Sequence, residues 1–253
     1  MIGLEARRAA IAERVAREGE ATVEELARVF DVNAMTIRRD LDALGREGRL
    51  RRTHGGAMAA RAGVVEFAFQ ERCQARAKEK RAIAARAAAL VRPGMTVSLD
   101  TGTTTLEVAR CLADTGDLTV LTTSLAIASA LHAKRNLTLV LLGGMVSRTK
   151  PELYGPLAEE NLKTFRVDVA FLGADAVTSE GLFTTDMQTA AMCRAMIAQA
   201  GQAVLVADSG KFGRTAFVRY AAFQDVDVVV TDRTCPARVR TWLRKKAGNA
   251  LFA

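Results

Sequence analysis

From Thr96 to Thr231 the chain alternates short runs rich in Val and Leu with stretches of helical spacing, and this limits the fold more than any other feature of the sequence. The strand candidates are Thr96–Leu99, Leu118–Thr122, Leu137–Leu142, Val167–Leu172, Ala203–Ala207 and Val226–Thr231. Helical patterns lie between most of them, over Leu106–Leu112, Leu125–Ala133, Leu157–Phe165 and Met187–Ala200. Strands separated by helices predict a largely parallel sheet with helices on both faces. The runs lack a strict in-out alternation, as expected of strands buried on both sides. An alanine-rich helix is predicted from Lys80 to Leu90, stopped by Pro93-Gly94.

In an open α/β sheet, ligands bind outside the carboxyl ends of the strands. The loops after successive strands are Asp100-Thr101-Gly102-Thr103-Thr104-Thr105, Thr122-Thr123-Ser124, Gly143-Gly144, Gly173-Ala174-Asp175 and Asp208-Ser209-Gly210-Lys211. A single glycine pair is ordinarily a turn, and a single hydroxyl before a helix is ordinarily a cap. Together they offer hydroxyls, backbone N–H groups and a helix N-terminus for a phosphate, Lys211 for charge, and carboxylates for sugar hydroxyls. The expected ligand is a phosphorylated sugar or polyol. The candidate residues are Asp100, Thr101, Gly102, Thr103, Thr104, Thr123, Ser124, Gly143, Gly144, Asp175 and Lys211. Neither a Gly-x-Gly-x-x-Gly fingerprint nor a Gly-Lys-Ser/Thr loop follows the first strand, which disfavours redox and kinase chemistry.

The N-terminal part has a different pattern. Residues 5–18 carry an apolar stripe of Ala9, Ile11, Ala12 and Val15, ended by Gly19. Thr22 and Glu25 have the spacing of a capping box. Val23, Leu26, Ala27 and Phe30 then define a second helix, and Asp31-Val32 a tight turn. Asn33 is a good N-cap for a third helix. This helix buries Ile37, Leu41 and Leu44 and turns Met35, Arg39 and Asp42 outward, with Thr36 and Arg38 on the flanks. Gly48 is expected to stop it. Arg49, Leu50, Arg51 and Arg52 lead into Thr53-His54-Gly55-Gly56, the pattern of a small basic wing with glycines at its exit. These features predict a winged helix-turn-helix whose third helix enters the major groove, where arginine can bond guanine in bidentate fashion. The candidate DNA contacts are Asn33, Met35, Thr36, Arg38, Arg39, Arg49, Arg51, Arg52 and His54; His54 also suits a purely structural role.

The chain has 253 residues and a net charge of +8, which fits a polyanionic partner without requiring one. Arg7, Arg8, Glu13 and Arg14 interrupt any signal-peptide core, and no apolar run is long enough to span a membrane. Cys73, Cys111, Cys193 and Cys235 are widely spaced, and His54 and His132 lie far apart, so neither disulfides nor a metal site is expected. No cofactor is expected either. Phe67 and Phe69 read as anchors within a connector.

These motifs resemble the DeoR-type bacterial transcriptional regulators. The N-terminal match is Thr36-Ile37-Arg38-Arg39-Asp40-Leu41, Leu44, Gly48 and His54-Gly55-Gly56-Ala57. The C-terminal match is Asp100–Thr104, Gly143-Gly144, Gly155-Pro156, Phe171–Val177 and Asp208–Gly213. The resemblance implies a repressor whose C-terminal domain has a fold like that of the ribose-5-phosphate isomerase group and senses a sugar phosphate. It also places Asp175 and Lys211 where such loops carry an acid and a lysine. Asn33 stands where relatives often have Ser, and Gln188, Thr189, Ala190 and Ala191 stand where they often have acidic residues. The second departure removes a candidate base and counts against isomerase activity.

The expected organisation is a DNA-binding domain over residues 1–57, a linker over 58–74 and a sensing domain over 75–253. The expected protein is cytoplasmic and acts as a homodimer or homotetramer on operator DNA. It has no catalytic residues and no membrane partner. The alternative is an isomerase-like enzyme carrying a DNA-binding appendage.

Overall fold

The computed structural model describes residues 3–47, 49–59, 69–246 and 249–253. Gly48 and Phe67 lie outside the described residues. The chain divides into two compact units, Met1–Arg72 with Arg148–Lys150, and Cys73–Ser147 with Pro151–Ala253.

The first unit contains helix α1 (Leu4–Glu18), strand β1 (Glu20–Thr22), helices α2 (Val23–Phe30) and α3 (Ala34–Arg46), and strands β2 (Leu50–Arg52) and β3 (Gly56–Ala59). Local signals set the helix ends. The Glu25 N–H donates to Thr22 Oγ1 at 3.2 Å, and the Thr22 N–H donates to Glu25 Oε2 at 2.8 Å. Those bonds hold the Glu25 carboxyl below its ordinary range. Asp31 ends α2 in the left-handed region at φ 50°. Asn33 Oδ1 accepts the Thr36 N–H at 2.8 Å and opens α3. Ile11, Val15, Leu26, Ile37, Leu41 and Leu44 are fully buried between the helices.

One strand of this unit escaped the sequence reading. β1 pairs antiparallel with β3, giving the sheet order β1-β3-β2. This changes the reason for Gly56. A Cβ there would lie 2.1 Å from the Ala21 carbonyl oxygen, so close strand approach demands glycine, beyond any need of the turn.

The second unit opens with α4 (Ala77–Ala88), close to the predicted helix. There follow β4 (Thr96–Leu99), α5 (Thr103–Leu112), β5 (Leu118–Thr122), α6 (Leu125–Leu131) and β6 (Leu137–Leu141). A hairpin of β7 (Met145–Val146) and β8 (Leu153–Tyr154) precedes α7 (Pro156–Lys163) and β9 (Val167–Leu172). The rest comprises β10 (Ala176–Thr178), β11 (Gly181–Thr184), α8 (Met187–Gln199), β12 (Ala200–Val206), β13 (Val218–Ala221), β14 (Val228–Thr231), α9 (Ala237–Lys246) and β15 (Asn249–Phe252).

Seven of these strands form one parallel sheet in the order β15-β14-β12-β9-β4-β5-β6. β10, β11 and β13 form a small antiparallel sheet. In the large sheet the chain runs outward from β4 to β6, returns, and runs the other way from β9 to β15. β4 and β9 are therefore neighbours whose following loops diverge, which is a topological switch point. Their side chains explain the unpatterned apolar runs: Val97, Leu99, Val169, Ala170, Phe171 and Leu172 are all buried.

Candidate functional site

Two groups of polar residues stand out, one in each unit. On the first unit Met35, Arg38 and Arg39 are exposed along α3, beside the half-buried Thr36. Neither arginine has a hydrogen bond or ion pair among the described residues. The acids that would most simply neutralise them are engaged elsewhere. Asp42 Oδ1 takes Arg52 Nε at 2.9 Å, and Glu47 lies 3.7 Å from Arg49. Two unpaired guanidinium groups on one helix face form an attractive surface for phosphates and base edges.

The wing arginines divide. Arg49 and Arg51 are exposed, Arg51 resting on the Met58 sulfur, and His54 is exposed between β2 and β3. Arg52 is not brought into this set. Its head group binds Asp42 and donates to the Gly56 carbonyl at 2.6 Å, fastening the wing to α3. Asn33 is likewise used as the α3 cap. Beneath the surface, Asp40 is buried and accepts Arg7 Nε at 2.7 Å and Arg8 Nε at 3.0 Å, tying α3 to α1.

In the second unit the residues gather at the switch point. Asp100 follows β4 directly, and its Oδ2 accepts the N–H of Gly173, which follows β9, at 3.0 Å. A Cβ on Gly173 would sit 3.1 Å from that oxygen, so the glycine keeps the two loops in contact. Asp175 lies further along the loop. Its Oδ2 accepts the Thr184 hydroxyl at 3.0 Å, the Thr185 N–H at 2.9 Å and the Thr185 hydroxyl at 3.1 Å. With one oxygen saturated, the carboxylate is fixed in orientation and Oδ1 is left for other donors.

The Asp100–Thr104 loop opens α5. Thr101, Gly102 and Thr103 are half-buried, Thr104 is buried, and Gly102 caps the helix without a side-chain bond. No acidic side chain occupies the first turn, so its N–H groups keep a positive field. Thr123 and Ser124 are buried beneath the β7–β8 hairpin. The Thr123 carbonyl accepts the Leu153 N–H at 2.8 Å, and Ser124 Oγ caps α6 through the Ile127 N–H at 3.2 Å. Gly143 and Gly144 have φ of 75° and 115°, and a Cβ on Gly144 would lie 2.6 Å from the Tyr154 carbonyl. Their geometry is explained by the turn from β6 into the hairpin. Lys211 is half-buried in a short 3₁₀ turn, Ser209–Lys211, capped by Asp208. This turn runs on to Gly213, whose N–H donates to the Val177 carbonyl, so the Lys211 and Asp175 loops are neighbours. Lys211 has no side-chain partner among the described residues.

Two polar residues here were not anticipated. Glu152, on the hairpin, is buried and accepts the Thr101 hydroxyl at 2.5 Å. Tyr220, on β13, is buried and donates to the Gly173 carbonyl at 2.6 Å. Burial pushes its phenol well above the ordinary value, with smaller contributions from Cys193, Asp100 and Asp175. Asp100 and Tyr220 thus meet on Gly173, two residues before Asp175. Among the described residues no cluster of His, Cys, Asp and Glu could hold a metal, and no helix is long and apolar enough to cross a membrane.

Comparison with known proteins decides the family. A model of the DeoR-like helix-turn-helix domain matches residues 7–62, and one of the DeoR C terminal sensor domain matches residues 75–233. The chain belongs to the DeoR family. It is 36% identical to the transcriptional repressor AccR of Agrobacterium fabrum, over 95% of each protein. It is 36% identical to the HTH-type transcriptional regulator GlpR of Haloferax volcanii, over 92% of each. It is 33% identical to the glycerol-3-phosphate regulon repressor of Escherichia coli, over 90% of this chain and 91% of that protein. Among solved structures, ribose 5-phosphate isomerase A of Methanocaldococcus jannaschii overlaps 53% of each chain at 23% identity with a TM-score of 0.39, a partial overlap that carries no functional statement.

DeoR-family proteins are DNA-binding transcriptional regulators, and the enzyme alternative is not favoured. In this DeoR-family chain the missed residues share one cause. Glu152 and Tyr220 reach the site through a hairpin and a strand pairing set by distant partners. The only available signal was Glu152's place shortly before Gly155-Pro156.

Proposed function

We propose that this DeoR-family chain is a cytoplasmic repressor of a carbohydrate or polyol catabolic operon, relieved by a phosphorylated sugar or polyol. Residues 1–57 hold operator DNA, residues 58–74 link, and residues 75–253 sense the effector. The observation that carries this reading is the pairing of two unneutralised arginines on α3 with a hydroxyl- and carboxylate-rich cluster at the switch point of a parallel sheet. The repressors of similar sequence, one of them named for the glycerol-3-phosphate regulon, support it.

Arg38, Arg39, Met35 and Thr36 read bases, and Arg49, Arg51 and His54 follow the backbone of the wing-side strand. Asn33 and Arg52 hold α3 and the wing in place. In the sensing unit the α5 N-terminus with Thr101, Gly102, Thr103 and Thr104, together with Lys211, receives the phosphate. Asp100 and Asp175 accept hydrogens from the effector's hydroxyls. Thr123, Ser124, Gly143 and Gly144 shape the wall beside them. A homodimer or homotetramer presents two winged units to half-sites about one helical turn (roughly 34–36 Å) or a multiple apart. The effector acts by binding the DNA-incompetent arrangement more tightly than the competent one.

Fluorescence anisotropy with the DNA upstream of the chain's own gene tests the proposal. Glycerol 3-phosphate, fructose 1-phosphate, glucosamine 6-phosphate and deoxyribose 5-phosphate are titrated in turn. One of them should lower DNA affinity, while its dephosphorylated parent should not. DNA affinity that none of the phosphates changes would overturn the effector half. Failure to bind the upstream DNA at moderate salt would overturn the operator half.

A further inference from the structure

Arg76, near the start of the sensing unit, binds two loops at the sheet's carboxyl edge, and none of the sequence motifs includes it. It is the N-cap of α4, in the left-handed region at φ 55° and ψ 37°, a conformation that a side chain this large adopts only when its surroundings hold it there. Its guanidinium gathers two strand-end loops. Nε lies 3.0 Å from Asp208 Oδ1, and Nη2 donates to Ser209 Oγ at 2.6 Å and to Thr234 Oγ1 at 3.1 Å. Nη2 also lies 3.6 Å from Asp232 Oδ1 and 3.5 Å from Glu79 Oε1.

The two aspartates and Ser209 are buried, Thr234 is exposed, and the loop groups are bound to one another. Asp208 and Asp232 are 3% and 2% exposed. Asp232 Oδ2 accepts the Ser209 N–H at 2.6 Å, its other oxygen accepts the Thr234 hydroxyl, and Ser209 Oγ contacts Thr234 Oγ1 at 2.9 Å. Asp208 Oδ1 also accepts the Gly210 N–H at 2.9 Å and so caps the turn that carries Lys211. Two buried carboxylates side by side repel each other, and removing the cation that compensates them leaves that repulsion unopposed. Arg76 is thus the cation that compensates the cap of the turn bearing Lys211.

We infer that Arg76 is a positioning residue that sets the Ser209–Lys211 turn and makes the state of that turn a condition for the start of α4. It touches no effector. A Lys211 drawn toward an anion pulls on the turn, the turn on its Asp208 cap, and Asp208 on Arg76. Residue 76 lies three residues after Cys73, where the second unit begins, so a shift here acts at the start of that unit. This inference rests on the effector reading of Lys211 for its consequence, though not for the linkage itself.

Hydrogen–deuterium exchange on the full chain tests the linkage without any ligand. In Arg76→Ala, exchange is expected to rise by about tenfold or more in both the 208–213 segment and the 75–80 segment. Arg76→Lys, which keeps a cation near Asp208 but loses the fork, should restore protection in part. Lys211→Ala should leave both segments protected. Thr234→Val, which removes one partner and keeps the Asp208 pair, should loosen the same two segments to a smaller degree, and it keeps the test decisive if Arg76→Ala does not fold. A rise confined to one segment, or none, would overturn the linkage.

The second arm is DNA anisotropy with and without glycerol 3-phosphate, fructose 1-phosphate, glucosamine 6-phosphate or deoxyribose 5-phosphate. Allosteric coupling commonly amounts to a change of roughly 5–150-fold in affinity. In Arg76→Ala that factor should fall toward one while DNA affinity without ligand stays within about twofold, and Arg76→Lys should recover part of it. A full response in Arg76→Ala would overturn the positioning role. If wild-type protein responds to none of the phosphates, the effector reading fails by itself, and the exchange result still decides whether Arg76 joins the two segments.

Discussion

The two units manage charge in opposite ways. On the winged unit the acids of α3 are engaged internally, Asp40 by Arg7 and Arg8 and Asp42 by Arg52, which leaves Arg38 and Arg39 unneutralised at the surface. At the sheet's carboxyl edge, Asp100, Asp175 and Asp232 are held by N–H and hydroxyl donors from neighbouring loops, and Asp208 by a loop N–H and Arg76. The first arrangement suits a long polyanion, whose many phosphates are met by exposed cations at little cost in reorganisation. The second suits a small ligand, whose hydroxyls are met by carboxylates already oriented. The first surface has charge to spare; in the second, a ligand would have to displace or extend an existing network.

That contrast can be broken most forcefully at Asp40. Asp40→Ala removes the buried carboxylate that the half-buried Arg7 and Arg8 bind, and each charge-assisted bond lost costs about 1.5–3 kcal/mol. The winged unit should lose most of its stability. The α/β unit has its own reporter in the chain's one tryptophan, Trp242, which packs edge-on to Phe223 with ring centres 5.0 Å apart. Circular dichroism should therefore show an early transition that Trp242 fluorescence does not follow. Coincident transitions would mean that the two units are not separately stable.

A smaller effect is expected from Arg38→Ala and Arg39→Ala. Each good arginine–base contact is worth about 1–3 kcal/mol. DNA affinity should fall by roughly 5- to 150-fold per residue, with specificity lost at single positions and effector binding unchanged. Arg52→Ala is the internal control. It should lower thermal stability by about 1 kcal/mol through its carbonyl and carboxylate bonds while leaving the slope of affinity against salt unaltered. A reduced salt slope would return Arg52 to the phosphate contacts.

Thr22→Ala removes half of the capping box, which should cost about 1 kcal/mol and be visible by urea titration. The smallest effect concerns thiols. Burial pushes the Cys235 thiol up to about 11. Its raised value means that the folded state favours the neutral form. That contribution is complete below the unfolded thiol's pKa and is lost as pH rises through the folded value. At pH 8 iodoacetamide should modify the exposed Cys111 and spare Cys193 and Cys235 until the α/β unit opens. Labelling of Cys235 in the native protein would contradict its burial.

Legibility in the sequence follows the range of the determining contacts. Thr22, Glu25 and Asn33 announce helix starts because their partners lie three residues away. The strands Thr96–Leu99, Leu118–Thr122 and Val167–Leu172 form with the expected bounds because burial on both faces selects continuous Val and Leu runs. β1 has only Glu20-Ala21-Thr22, and its pairing is visible solely in the space that Gly56 leaves for it. β15 carries Asn249 and Ala250 at a half-exposed sheet edge and so lacks the apolar signature of its neighbours. The loops at the switch point were legible as a set. The order of strands that joins Asp100 to Gly173 was not, since no local pattern records which strands are adjacent.

That strand order also has a consequence in time. The winged unit's own sheet is closed once Ala59 has been made, whereas Asp100 meets Gly173 only after Val167–Leu172 has paired with Thr96–Leu99. At roughly 5–20 residues per second, the interval between them is on the order of ten seconds of synthesis. A nascent chain can thus complete its winged unit well before the loops of its sensor domain come together, and a ribosome that stalls in that interval holds the first without the second.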